Sequence, residues 1–262
     1  MYILDENYIT EDSDILVYYK KGKTWLIKPT AKQLHTHVGY VDLTSVINKR
    51  YGDCVVTNKN EILWLLKPNL EDYVAKSKRK TQIVYPKDTG LILLKLNVFP
   101  GAQVIEVGVG SGGLTTYLSN LVRPTGHVHC YDINPEFSNN TKKNLERVNL
   151  LEFITIKDIT KTGIDVKNAD CAIVDIGDPW SVVESVWEGL KGGGNIAFVC
   201  PTINQVEKLV IKLTNSGFTN IETVEVLSRI IEAREGKSRP AMRMVGHTAY
   251  LIFARKIFPL NK

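Results

Sequence analysis

Long apolar runs are missing from this sequence. No stretch approaches the roughly 18 residues that a membrane-spanning helix needs, so no membrane partner is expected. The first residues, MYILDENYITEDSD, are acidic and lack the basic start and apolar core of a secretory signal. Cysteine is scarce. Cys54, Cys130, Cys171 and Cys200 lie far apart with no CxxC, which excludes a disulfide scaffold. They read as small buried hydrophobes of a cytoplasmic protein. His35 and His37 alternate along one probable strand and His127 and His129 along another. Neither pair has a third ligand nearby, so no metal is expected. There is no internal repeat and no low-complexity tract. What is present is ordinary: 262 residues, 44% hydrophobic and 23% charged. That suits one large domain with a small appendage.

Positive charge is unevenly spread. Residues 91–228 hold 11 basic and 15 acidic side chains, while the segments on either side total +9. Basic flanks around an acidic body suit a polyanionic partner. A chance surplus of surface lysines is the plain alternative.

Residues 14–67 are β-rich. ILVYYK, TWLIKP, CVVT and EILWLLKP are short β-branched or aromatic runs parted by Lys-Gly, Pro and Gly-Asp turns. A small N-terminal β domain is expected over 1–70, a polar connector over 71–82 and a catalytic domain over 83–262. In the last, apolar runs at 103–107, 127–132, 153–156, 170–175 and 195–200 predict buried parallel strands. Helices are predicted near 113–122, 135–148, 180–190 and 203–216. This alternation argues for an α/β, Rossmann-like, doubly wound sheet. Two final strand-like runs, 219–229 and 247–256, have no obvious helix between them. They are expected to form an antiparallel C-terminal hairpin around an Arg-rich excursion.

The sharpest local signal is Glu106-Val-Gly108-Val-Gly110-Ser111-Gly112-Gly113-Leu114, placed after a predicted strand and opening a predicted helix. Glycines let the backbone approach a ligand, and a helix N-terminus offers free N–H groups to it. Gly108, Gly110 and Gly113 satisfy GxGxxG, which by itself fits a dinucleotide. Asp132 ends the second strand, where it can bind ribose hydroxyls. Glu106 suits an ammonium group, or is simply a satisfied carboxylate at a strand end. Asp158, after the third strand, can accept from an adenine amine, or cap a helix. ExGxGxG resembles the first motif of class I methyltransferases. The combination favours S-adenosylmethionine, with S-adenosylhomocysteine as product, over NAD.

The fourth strand ends in Asp175-Ile-Gly177-Asp178-Pro179-Trp180. Ligands of open α/β sheets bind beyond the carboxyl ends of the strands, so Asp175 should face the cleft of the glycine loop. Asp178 is expected to cap the helix that Pro179 starts. Trp180 is either a packing residue or a platform for a substrate. A methyl donor of this kind is already electrophilic, so the main task is to align a nucleophile with it. Adenine N1 has an in-plane lone pair and needs no deprotonation. A carboxylate bonded to the exocyclic amine would orient the base and stabilise the cation that forms. Asp175 fits that role.

Five segments occur in order: Gln82-Ile-Val-Tyr85-Pro86-Lys87-Asp88, the glycine loop, Asp175-x-x-x-Pro179-Trp180, Cys200-Pro-Thr-Ile-Asn-Gln-Val206, and Val245-Gly-His247-Thr248 through Arg255. Together they resemble the archaeal and bacterial tRNA (adenine-N1)-methyltransferases of the TrmI family, over residues 80 to 256. The resemblance implies methylation of adenine 58, in some members also 57, in the tRNA T-loop. It also implies a homotetramer. It matches Asp175 to the catalytic aspartate and Tyr85 to an active-site tyrosine. It matches Ser111 to Leu114, Asp132 and Asp158 to cofactor contacts. Arg243 and His247 are weaker candidates for RNA contact. Gly177 departs from the proline expected in many members. Lys78, Arg79 and Lys80 either hold phosphates or belong to a solvated connector. Other readings stay open: a methyltransferase for another RNA, a protein or a small molecule, a non-catalytic RNA-binding subunit, and an NAD-linked enzyme.

Overall fold

Short apolar runs organise the first part of the chain into strands. The computed structural model describes residues 7–20, 22–30 and 32–258. Six strands come first: β1 Ile15–Tyr19, β2 Lys23–Ile27, β3 Gln33–Thr36, β4 Gly39–Asp42, β5 Cys54–Val56 and β6 Ile62–Leu66. Four of them form an antiparallel sheet in the order β2-β1-β6-β5, and β3 pairs with β4. Along β6, Leu63 and Leu65 are fully buried while Ile62 and Trp64 are exposed, which is the period of two that a half-buried strand requires. The inward residues meet Ile15, Val17, Val41 and Val46 in one apolar cluster.

Part of the predicted connector is a helix, α1, Leu70–Lys76. The Asn69 side chain accepts from the Asp72 N–H at 3.0 Å, and the Asp72 carboxylate accepts from the Asn69 N–H at 2.9 Å. This capping box offsets the polar composition that argued for a connector. The chain divides into two units after Ser77, inside the 71–82 stretch.

The second unit contains α2 Pro86–Leu96, β7 Gln103–Val107, α3 Gly113–Val122, β8 His127–Asp132, α4 Pro135–Glu146, β9 Ile154–Asp158, α5 Ile159–Thr162, β10 Ala169–Val174, α6 Val183–Gly189, β11 Leu190–Cys200, α7 Ile203–Thr214, β12 Phe218–Glu225, β13 Ile231–Glu232, β14 Arg239–Pro240 and β15 Tyr250–Lys256. Its seven-stranded sheet runs β12-β15-β11-β10-β7-β8-β9. The five strands from β7 to β11 are parallel to their neighbours among themselves. Val104, Ile105, Ala172, Ile173, Ile196 and Phe198 are fully buried, as parallel strands covered on both faces must be.

The C-terminal hairpin forms as expected: β12 and β15 pair from Phe218↔Lys256 to Glu225↔Tyr250. β15 also pairs with β11, inserting between β11 and β12. The excursion between the two strands closes on itself through β13 and β14. The helix expected over 180–190 is a 3-10 turn, Pro179–Val182, followed by α6. Asp178 does not cap it with its side chain. Its carbonyl accepts from the N–H and Oγ of Ser181 instead. α7 has a firmer start, because Thr202 and Gln205 form a second capping box.

β7 has β8 on one side and β10 on the other, so the strand order reverses there. At such a switch point a crevice opens beyond the carboxyl ends of the strands. Glu106, Asp132 and Asp175 all come from those ends.

Candidate active site

The glycine loop leaves β7 and doubles back sharply. The Gly108 N–H donates to the Tyr131 carbonyl on β8 at 2.8 Å, and φ there is 88°. A Cβ at Gly108 would collide with the Asp175 carbonyl oxygen, so only glycine lets β7 and β10 approach this closely. The Val109 N–H donates to Asp132 Oδ2 at 2.9 Å, and the Asn134 N–H donates to Oδ1 at 2.8 Å. Asp132 therefore pins the loop from the end of β8.

A cleft of about 420 Å³ lies over the loop. Glu106, Gly108, Gly110, Ser111, Gly113, Leu114, Asp132 and Asp175 line it, so most of the predicted cofactor set converges there. Gly112 is the residue before α3 and is not part of that lining. The remaining walls were not foreseen. They include residues 81–84, Ile133, Phe137 and Ile176. An apolar residue directly after the strand-end carboxylate Asp132 was the signal available in the sequence; in the structure Ile133 is 69% exposed.

Glu106 is buried. It accepts from Thr115 Oγ1 at 3.0 Å and from the Cys130 thiol at 3.4 Å. Burial pushes its carboxyl up to about 8; the two hydrogen bonds oppose this, and the charges of Asp175 and Asp132 add to it. Burial likewise raises Asp175 to about 6. Three carboxyl groups line one cleft, and burial penalises the ionised form of two of them, a penalty that a bound cation would relieve. Tight glycines beside them leave room for a ligand with a polar chain. S-adenosylmethionine, which carries an ammonium, a sulfonium and ribose hydroxyls, fits that donor set. Glu106, Asp132 and the loop N–H groups are the residues that would hold it.

Other predicted residues lie elsewhere. Asp158 sits beside Asp132 in the sheet register but does not line the cleft. Its carboxylate caps α5, accepting from Thr160 N at 3.0 Å, and pairs with Lys161 at 2.9 Å; the Lys161 contact and the Thr160 bonds draw it down to about 2. Of the two readings open for it, the cap is the one the geometry contains. Tyr85 follows the Thr81–Val84 wall and precedes Pro86, the first residue of α2. Trp180 is half-buried, with the Lys208 ammonium 3.6 Å above its ring. Lys78, Arg79, Lys80 and Arg243 are exposed, and Lys80 pairs with Glu136 at 2.8 Å. His247 uses both ring nitrogens inside the protein, toward Glu225 Oε1 at 2.6 Å and the Pro201 carbonyl at 2.9 Å. Glu225 first, then Pro201, raise its pKa. All four cysteines are free. Among the described residues, no cluster of three potential metal ligands occurs and no helix is long and apolar enough to cross a membrane.

A parallel sheet with an antiparallel strand inserted next to its edge, and a glycine-loop cleft at its switch point, define a class I methyltransferase domain. Residues 61–238 match the family model described as tRNA methyltransferase complex GCD14 subunit, and the chain belongs to that family. It is 37% identical over 267 residues to the tRNA (adenine(57)-N(1)/adenine(58)-N(1))-methyltransferase TrmI of Methanocaldococcus jannaschii, covering 92% of this chain and 94% of that protein. It is 29% identical to the tRNA (adenine(58)-N(1))-methyltransferase TrmI of Thermus thermophilus, covering 92% and 96%. Among solved structures, a SAM-dependent O-methyltransferase from Thermotoga maritima superposes with a TM-score of 0.93 at 37% identity, covering 98% of this chain and 97% of that one. The tRNA (m1A58) methyltransferase TrmI of Aquifex aeolicus follows at 0.86 and 33%, covering 97% and 100%.

Proposed function

We propose that this protein transfers a methyl group from S-adenosylmethionine to N1 of an adenine in the tRNA T-loop, at position 58, with position 57 as a second site to be tested. The observation that carries the reading is Asp175. Its carboxylate shares one cleft with the glycine loop in a chain of the tRNA methyltransferase family.

When bound, the cofactor supplies an electrophilic methyl group. The protein's own task is then to place a base and hold its charge. Asp175, ionised above a pKa of about 6, accepts from the exocyclic amine of adenine. That bond orients N1 and stabilises the positive charge that develops on the ring. No proton has to leave N1. Glu106 and Asp132 anchor the cofactor end, and Tyr85 borders the base end. Extruding a base from a folded T-loop needs stacking partners and phosphate contacts. Tyr85 and Trp180 are the aromatic candidates, and Lys78, Arg79, Lys80 and Arg243 the basic ones. We also infer a cytoplasmic homotetramer, which light scattering would report as four times the 29.4 kDa chain mass.

Labelled S-adenosylmethionine, an unmodified tRNA transcript and nucleoside mass spectrometry test the reading. N1-methyladenosine, with a reverse-transcription stop in the T-loop, is the expected product. A methyl group on a ribose oxygen would instead favour the O-methyl chemistry in the name of the Thermotoga protein. No transfer to any tRNA, with cofactor binding intact, would point to a protein or small-molecule substrate.

A further inference from the structure

Two motifs that carried the family resemblance, Tyr85-Pro86-Lys87-Asp88 and Gly246-His247-Thr248, are about 160 residues apart in the chain and meet in space. The Lys87 ammonium donates to Asp88 Oδ1 at 2.7 Å and to Thr248 Oγ1 at 2.6 Å. The Thr248 hydroxyl donates to Asp88 Oδ2 at 2.7 Å. The triangle is closed and largely buried: the Asp88 side chain is 1% exposed and that of Lys87 14%, and Thr248 is half-buried. Thr248 is itself held, because its neighbour His247 is tied to Glu225 and Pro201.

Burying an ion pair is a poor way to gain stability, since desolvation cancels much of the attraction. What such a pair does supply is fixed geometry. The segment it fixes is the cleft wall. At one end of that wall, the N–H groups of Lys80 and Thr81 each donate to Ser111 Oγ at 2.9 Å. At the other, the N–H groups of Asp88 and Thr89 donate to the Tyr85 carbonyl at 2.9 and 2.8 Å. Between these anchors, Gln82 and Ile83 make no hydrogen bond to another described residue. The wall is therefore a strap fastened at its two ends, and its position depends on the fastenings.

We propose that Lys87, Asp88 and Thr248 form a buried clasp that positions the Thr81–Tyr85 strap, and with it Tyr85, for the methyl-accepting base. They are positioning residues, which act through Tyr85 and the strap. The inference rests on the proposed methyl transfer to tRNA.

Thr248→Val removes the hydroxyl and keeps the shape; Thr248→Ser restores the hydroxyl. In the full-length protein, T248V should keep cofactor affinity within about twofold while turnover at saturating tRNA falls by about tenfold to a hundredfold, the scale on which misplacement of a reacting group acts. T248S should recover most of the loss. Hydrogen exchange over 81–89 should accelerate in T248V and not in T248S. Wild-type turnover in T248V would overturn the clasp, as would a loss confined to KM for tRNA or to thermal stability. A wild-type protein inactive on every tRNA would sink the methyl-transfer reading instead. Exchange over 81–89 would then decide the clasp: acceleration in T248V alone supports it, and no change overturns it.

Discussion

Asp175 and Glu106 differ in what burial does for them. Asp175 must be ionised to accept from an amine, so methyl transfer should fall as pH drops through about 6. Asp175→Ala should lower turnover by about a hundredfold or more, the usual cost of removing one preorganised electrostatic partner, while tRNA affinity is largely kept. Turnover followed from pH 5 to 8, with a parallel tRNA binding curve, checks both. Burial raises the Glu106 carboxyl to about 8, so it is expected to carry its proton at pH 7 in the ligand-free protein. A cationic ligand beside it should expel that proton. Cofactor titration calorimetry at pH 7 in buffers of different ionisation enthalpy should therefore show close to one proton released, and none in Glu106→Gln. The same shift works against the ligand-free fold. A carboxyl whose folded pKa is raised favours folding through its proton, and that contribution is lost as pH climbs from about 4.5 to about 8.

Close backbone approach at glycine is one way in which the elements meet at the cleft. Gly108 lets the chain leaving β7 approach the Asp175 carbonyl beyond the end of β10, and a Cβ at Gly177 would meet open space. Gly108→Ala combines a positive φ with a collision against the Asp175 carbonyl, so it should cost about 1–3 kcal/mol or more and abolish cofactor binding. Gly177→Ala meets nothing and should stay within about 0.5 kcal/mol of wild type. Chemical denaturation of the two variants in parallel checks the contrast. The same logic covers the clasp at the head of α2, where two side chains and a hydroxyl fasten a strap with few bonds of its own.

At the scale of the whole chain, residues 91–228 are acidic and the sequence segments on either side of them total +9. If those flanks hold tRNA phosphates, replacing Lys78, Arg79 and Lys80 together should weaken tRNA binding. The slope of log affinity against log salt should flatten by about 0.7–0.9 for each phosphate that is no longer neutralised. An unchanged slope would assign the three residues to the exposed stretch that joins the two units and nothing more. Lys80 also pairs with Glu136 at 2.8 Å, so its replacement removes that ion pair as well.

Local patterns determined much of this protein. Strand runs, helix spacing and the glycine loop could be read directly, because parallel strands must be apolar throughout and tight turns need glycine. ExGxGxG and Asp175 could be placed in one cleft, because strand ends share a side in a doubly wound sheet. Short-range competition was harder to read. Asn69 and Asp72 built a helix where composition spoke for a connector, and Asp178 left its helix uncapped. Only the tertiary structure decided the rest. It placed β15 between β11 and β12, brought Thr81–Val84 across the cleft, committed Asp158 to a helix start, and joined Asp88 to Thr248. Those outcomes depend on contacts between residues far apart in the chain, and the geometry of such contacts is set by packing, which no single segment encodes.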